Sequence, residues 1–331
     1  MKVFTVVDHE RMNWQNAMED ALYGPHGFFT SGAGPAAHFR TSVHASPLFV
    51  SAVLRLITHL DEALGHPDQL DVVDVGAGRG ELLTALAAAA PPALRDRLRL
   101  TAVEKAARPP DLPDGIGWRS EPPTGVTGLL IATEWLDNVP LDVVDGDRYV
   151  TVDRAGAEKP GAPINADDTA WLARWWPDGG RAEVGLTRDR AWSGAVEMVV
   201  RGLALAVDYG HLRDARPYGG TLTGYRAGRQ VPPVPDGSCD ITAHVAIDSV
   251  AEAAGRPYTL ISQREALRAL GISGTRPPIT MAGTDPVGYV RALATASAAA
   301  ELTEPAGLGG HWWLLHPIDL DSLPFPAGVG R

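Results

Sequence analysis

The chain is nearly without cysteine and nearly without lysine, and each shortage closes off a class of protein. Cys239 is the single cysteine in 331 residues. An internal disulfide and any CxxC metal site are therefore excluded, and no metal is expected. Lys2, Lys105 and Lys159 are the only lysines, with arginine supplying the other basic residues. Together with heavy use of Ala, Gly, Pro and Asp, this reads as the codon bias of a GC-rich genome. A net charge of -11 lacks the clustered positive charge that a phosphate backbone demands, so nucleic acid is not an expected partner. No apolar run reaches the roughly 18 residues of a membrane span. Met1-Lys2-Val3-Phe4 followed by Asp8-His9-Glu10 has no signal-peptide core. No internal repeat stands out, and a cytoplasmic protein is expected.

What is present is the composition of a globular chain, 45% hydrophobic and 21% charged. Its length suits one large α/β domain with an insertion. Residues 8–23 read as a helix that Asp8 can cap, with Met12, Ala17, Met18, Ala21 and Leu22 at helical spacing. Ser46-Pro47 opens a second helix with serine at the N-cap and proline at the first helical position, and Gly65 can stop it. Short apolar runs at 71–75, 98–103, 128–132 and 202–207 then read as buried parallel strands alternating with helices. The expectation is a Rossmann-like α/β sheet with helices on both faces. The pattern breaks over 141–201, where a hairpin (143–152), a Trp-rich helix around Trp171, Trp175 and Trp176 and a helix over 191–200 suggest an inserted cap. The Trp spacing points to packing. His311 to His316 looks like a final strand. The expected organisation is a single domain: N-terminal helices and a loop (1–65), a cofactor half (66–140), the cap (141–201) and the rest of the core (202–331).

Asp74-Val75-Gly76-Ala77-Gly78-Arg79-Gly80-Glu81 sets three glycines where a strand turns into a helix. Glycine there permits a tight turn and close approach of a ligand to backbone amides. The third glycine falls one residue earlier than in the dinucleotide fingerprint, and Glu81 takes its place. An acid in the first turn would face a pyrophosphate, whereas S-adenosyl-L-methionine (SAM) presents an ammonium and no phosphate. Glu104 ends the next strand, placed to accept bonds from two ribose hydroxyls. The motif predicts SAM as cofactor, with Asp74, Gly76, Ala77, Gly78, Gly80 and Glu104 around it. The plainer alternative is a set of turn glycines beside a surface carboxylate.

With those residues in place, about residues 20–275 resemble the MidA-like family, which includes the mitochondrial complex I assembly methyltransferase of the arginine-methylating type. The likeness runs through Ala21-Leu22-Tyr23-Gly24, the loop from His38 to Phe49, the stretch from Asp74 to Leu83, and Thr133-Glu134-Trp135-Leu136-Asp137-Asn138-Val139-Pro140. It continues through Val207-Asp208-Tyr209-Gly210, Gly220-Thr221-Leu222, the run from Asp240 to Val245 and the segment from Ser262 to Ile272. The resemblance implies a class I SAM-dependent methyltransferase, with Phe39, Thr41 and Ser42 near the cofactor and Asp208, Tyr209, Asp240 and His244 lining an acceptor pocket. Two family acids of the loop are here His38 and His44, and Thr133 replaces an asparagine.

An arginine acceptor is permanently protonated and calls for carboxylates that clamp it. Glu134 follows a strand at the carboxyl edge where such sheets bind ligands, and Asp137 would share its face if the segment were helical. Either could equally be a capping or turn acid. His38 and His44 could act as bases for an oxygen or amine acceptor, or could simply satisfy loop backbone. Three activities stay open: arginine methylation of a partner protein, methylation of a small molecule, and SAM-dependent assembly with little turnover. A homodimer is compatible with each.

Overall fold

The computed structural model describes residues 11–31, 46–323 and 325. The chain folds as two compact units. One comprises residues 46–135, Trp192–Gly210 and the described residues from 254 onward. Its centre is a seven-stranded sheet of β1 (Leu70–Val75), β2 (Leu98–Val103), β3 (Ile116–Arg119), β4 (Val126–Thr133), β5 (Val199–Asp208), β6 (Thr259–Ser262) and β7 (Trp312–Ile318). Across the sheet the order is β6-β7-β5-β4-β1-β2-β3. The pairs among β1 to β5 are parallel, and β7 runs antiparallel to both β5 and β6. The Rossmann-like α/β expectation is met.

These segments become strands because both of their faces find cover. All six residues of β1 are buried, as are Leu129, Leu130 and Ile131 of β4 and Leu203 to Val207 of β5. The helices α1 (Pro47–Ala63), α2 (Glu81–Ala89), α3 (Gln263–Ala269) and α4 (Pro286–Leu302) belong to this unit. Phe49, Val53, Leu56, Ile57 and Leu60 of α1 join Leu83, Leu86, Leu129, Leu205 and Trp313 in one apolar core. The Ser46 side chain accepts from Leu48 N–H at 3.1 Å, and Leu64 and Gly65 end the helix as anticipated.

The second unit gathers residues 11–31, Leu136–Ala191 and His211–Ala253. The hairpin of Asp142–Asp145 and Arg148–Val152 forms as expected and pairs onward with Met12–Asn13, Glu158–Pro163 and Arg181–Val184. Trp14, Met18 and Leu22 pack with Val143, Val150, Val152 and Ile241, and Trp171, Trp175 and Trp176 surround a second cluster. Buried Arg188 ties chain segments together, its guanidinium donating to the carbonyls of Asp137, Val139, Ala243 and His244.

Two helix boundaries differ from expectation. The first helix begins at Trp14, because Met12 and Asn13 are drawn into strand pairing with Val152 and Thr151; Asp8 lies outside the described residues. The helix placed at 191–200 spans Leu186–Glu197 instead. Val199 and Val200 already belong to β5, since the Met198 carbonyl accepts from Val126 N–H and starts the parallel ladder.

The centre of the sheet is tight. Gly128 in β4 has φ 142°, and a Cβ there would lie 2.1 Å from the Asp71 carbonyl of β1. We expect Gly128→Ala to destabilise the chain by about 3 kcal/mol or more, combining backbone strain with overpacking. Gly115→Ala, where a Cβ would meet nothing within 4 Å, should leave the denaturant midpoint nearly unchanged. Equal midpoints for the two variants would refute the tight rung.

Candidate functional site

The glycine loop leaves β1 by a turn that fixes its amides. Gly76 and Ala77 N–H both donate to the Val103 carbonyl of β2, at 3.0 and 3.2 Å, and Gly80 N–H donates to Ala77 at 2.8 Å. Gly76 has φ 74°, and a Cβ on it would meet the Trp135 ring at 2.8 Å. Gly80, at φ 82°, is the left-handed N-cap of α2. Three carboxyl groups gather on this turn. Glu81 folds back so that its Oε2 accepts from Arg79 N–H at 2.9 Å. Glu104, one residue beyond β2, accepts from Gly78 N–H at 3.0 Å and from Lys105 N–H at 2.7 Å. Burial nevertheless raises its pKa. Asp74 is buried, and its Oδ1 has no hydrogen-bond partner among the described residues. Burial first, then the charges of Glu81 and Glu104, pushes its pKa up to about 8. A ligand bringing positive charge and donors would satisfy these groups, and a pyrophosphate would not.

The same edge of the sheet carries further polar residues. Glu134 follows β4 directly, with its N–H on the Val207 carbonyl of β5 at 2.8 Å. Its φ of 50° is left-handed, unusual for a residue with a side chain. Asp208 ends β5, buried, and its carboxylate accepts from Tyr209 N–H at 3.0 Å. His311, just before β7, puts Nδ1 4.0 Å from Glu134 Oε1 and its ring 5.5 Å from that of Tyr209. The ends of β1, β2, β4 and β5 and the start of β7 thus bring these residues to one edge, at the point where strand order reverses between β1 and β4.

Other expected site residues are placed differently. Asp137 does not share a helical face with Glu134: the left-handed backbone at Glu134 breaks the helix, and only a short 3-10 turn, Leu136–Asn138, follows. The Asp137 carboxylate accepts from Thr242 Oγ1 at 2.7 Å, and its carbonyl accepts from Arg188. Asp240 is buried and accepts from Asn138 Nδ2 at 2.7 Å. His244 is exposed, with its N–H on Thr221 Oγ1 at 2.8 Å. These three belong to the second unit, while Asp208 and Tyr209 belong to the sheet unit. His38, Phe39, Thr41, Ser42 and His44 lie outside the described residues. His311 was not anticipated as a site residue. It lies far from Glu134 along the chain, and only the pairing of β7 beside β5 brings the two together.

The state of Asp74 makes stability depend on pH. In the unfolded chain an aspartate ionises near 4, and in the cofactor-free fold near 8. Between those values the folded state holds one proton more than the unfolded state, so stability falls as pH rises and levels off above about 8. Asp74→Asn removes this titration. The stability difference, wild type minus variant, should decline steadily in urea melts from pH 5 to pH 8; a constant difference would contradict the assignment.

Comparison with known proteins agrees with this geometry. Residues 55–263 match the family described as "Putative S-adenosyl-L-methionine-dependent methyltransferase". A Burkholderia thailandensis protein described as a "likely methyl transferase", with S-adenosyl-homocysteine bound, is 26% identical with a TM-score of 0.80, over 97% of this chain and 92% of that one. A native structure of an uncharacterised protein from the same organism is 25% identical with a TM-score of 0.77, over 97% and 91%. No curated protein matches the chain. Among the described residues, no helix is long and apolar enough to cross a membrane. With more than half its length matched, the chain belongs to this family of SAM-dependent methyltransferases, and SAM is its cofactor.

Proposed function

We propose that the chain is a MidA-like member of its family, acting in the cytoplasm to move the methyl group of SAM to an arginine side chain of a partner protein. When bound, SAM supplies an electrophilic methyl group. The loop of Gly76, Ala77, Gly78 and Gly80, whose lack of bulk lets a ligand come close, and the carboxyls of Asp74 and Glu104 would hold the cofactor. The orphaned Asp74 oxygen fits its ammonium, and Glu104 fits the ribose hydroxyls.

The observation that carries the arginine reading is Glu134. A side-chain-bearing residue in a left-handed conformation costs about 1–3 kcal/mol, and here it sets a carboxylate at the strand-order reversal, beside the strand that leads into the glycine loop. A guanidinium is charged at every accessible pH, so a fixed carboxylate gives it orientation and bidentate hydrogen bonds. Positioning of that kind accounts for much of what an enzyme contributes to a displacement reaction. Asp208, which is buried, adds a second carboxylate on the neighbouring strand end.

Two tests follow. Glu104→Ala should weaken binding of S-adenosyl-homocysteine by one to two orders of magnitude in calorimetry, about 1.5–3 kcal/mol of charge-assisted bonding, with NAD binding to neither protein. Unchanged affinity in a folded variant would remove Glu104 from the site. Glu134→Gln keeps the shape and removes the charge. Methyl transfer from labelled SAM to lysate protein should fall at least about 100-fold, with cofactor affinity nearly unchanged. A wild-type rate in that variant would sink the guanidinium clamp. If instead His38→Ala or His44→Ala alone abolished transfer, a neutral small-molecule acceptor would be favoured. If a partner protein stayed bound to a variant without turnover, the assembly role would be.

A further inference from the structure

Methylation of a guanidinium leaves one proton too many. The attacking nitrogen gains a methyl group while it still carries its hydrogen, and the product returns to a single positive charge only when that proton departs. Glu134, as the clamp, is poorly suited to take it, because a protonated carboxyl would lose its hold on the cation. A separate base of near-neutral pKa is called for, close to the clamp and supported by it.

From the juxtaposition of His311 with Glu134 and Tyr209 at the sheet edge, we infer that His311 is the proton acceptor of the methyl-transfer step. The inference rests on the arginine reading above. Its imidazole presents Nδ1 to the Glu134 carboxylate at 4.0 Å and is mostly buried, with 11% of the side chain exposed. Tyr209 lies against the ring at 5.5 Å, and the main chain of His311 is fixed on both sides, its N–H donating to the Leu308 carbonyl at 3.1 Å and its carbonyl accepting from Gln263 N–H at 2.7 Å. The charged neighbours on the strand ends are Glu134, just after β4, and Asp208, the last residue of β5, both acidic. From α3 the nearby Gln263 is uncharged, and its amide bonds the Leu302 carbonyl and the Trp313 indole. An imidazolium, the state a base reaches after accepting a proton, would face these two carboxylates.

The step then balances. The nitrogen lone pair of the acceptor forms the new N–C bond as the S–C bond of SAM breaks, and the bonding pair stays on sulfur. The proton from that nitrogen passes to His311, and Glu134 steadies the resulting positive charge. Release of the proton to solvent resets the imidazole. A carboxylate that supports a histidine in this way acts on general physical grounds: it fixes the ring and stabilises its charged form.

The test combines rate, pH and a resonance. Initial rates of label transfer from SAM to lysate protein should rise with pH through a midpoint to a plateau, as expected when a base must first lose its proton. In His311→Gln the rate should fall at least about 100-fold and the midpoint disappear, while S-adenosyl-homocysteine affinity and melting temperature stay within error. A folded His311→Gln protein that keeps the wild-type rate and midpoint overturns the proposal and leaves the arginine reading standing. If His311→Gln does not fold, NMR of the His311 ring decides. Its midpoint should drop when Glu134 becomes Gln, and an unmoved midpoint overturns the pairing. Methyl label recovered on a neutral small molecule and never on protein arginine would bring down the reading itself, and the proposal with it.

Discussion

The pairing of β1 with β4 is the constraint on which the site depends. These strands are neighbours in space although two others separate them in sequence, so the chain builds outward in one direction and then returns to build in the other. The reversal leaves the carboxyl ends of β1 and β4 side by side with no crossover connection filling the gap above them. The glycine turn leaves one end and Glu134 stands on the other. Gly128 makes the pairing close, since a side chain there would run into the backbone of Asp71. A looser rung would move both strand ends, and with them every polar group that the two strands carry.

Charge is the second organising theme. Asp74, Glu81, Glu104, Glu134 and Asp208 all sit at or near strand ends of one edge, and Arg79, the basic residue within the loop, turns its side chain to Asp111 on the exposed surface. The fold tolerates this excess of acid by giving carboxylates backbone donors, as at Glu104 and Glu81, and by keeping Asp74 protonated in a buried setting. An edge of this kind favours a cofactor with a sulfonium and an ammonium, and disfavours phosphates. The same field that receives the cofactor would attract a cationic acceptor, so one electrostatic design can serve both ligands.

Much of the fold was legible because its signals are local. The cap at Ser46-Pro47, the glycine turn and the acid ending β2 each lie within a few residues of the structure they specify, and apolar runs covered on both faces read directly as parallel strands. Boundaries set by distant partners were less legible. Met12 obeys helical spacing and Asn13 falls within the expected helix, but Val152 and Thr151 claim both for a strand. Asp137 looked like a partner for Glu134 on chain distance, but one left-handed residue breaks the helix that would have aligned them. His311 carried no chain-local signal at all; its place is fixed by a strand that enters the sheet from far along the sequence. Geometry of that kind is a property of topology, and a linear reading meets it only through the fold.

That late-arriving strand has a consequence for synthesis. β5 emerges from the ribosome around residue 208, but the partner for its outer edge, β7, is not made until about a hundred residues later. β6 appears in between and cannot substitute, since it bonds only to β7. A nascent chain therefore exposes a long apolar edge, Leu203 to Val207, for the interval that separates them. Open edges of this composition recruit other chains. The architecture ties completion of this edge of the sheet to β7, so a chain stalled before it would be adhesive, a natural client for chaperones during translation.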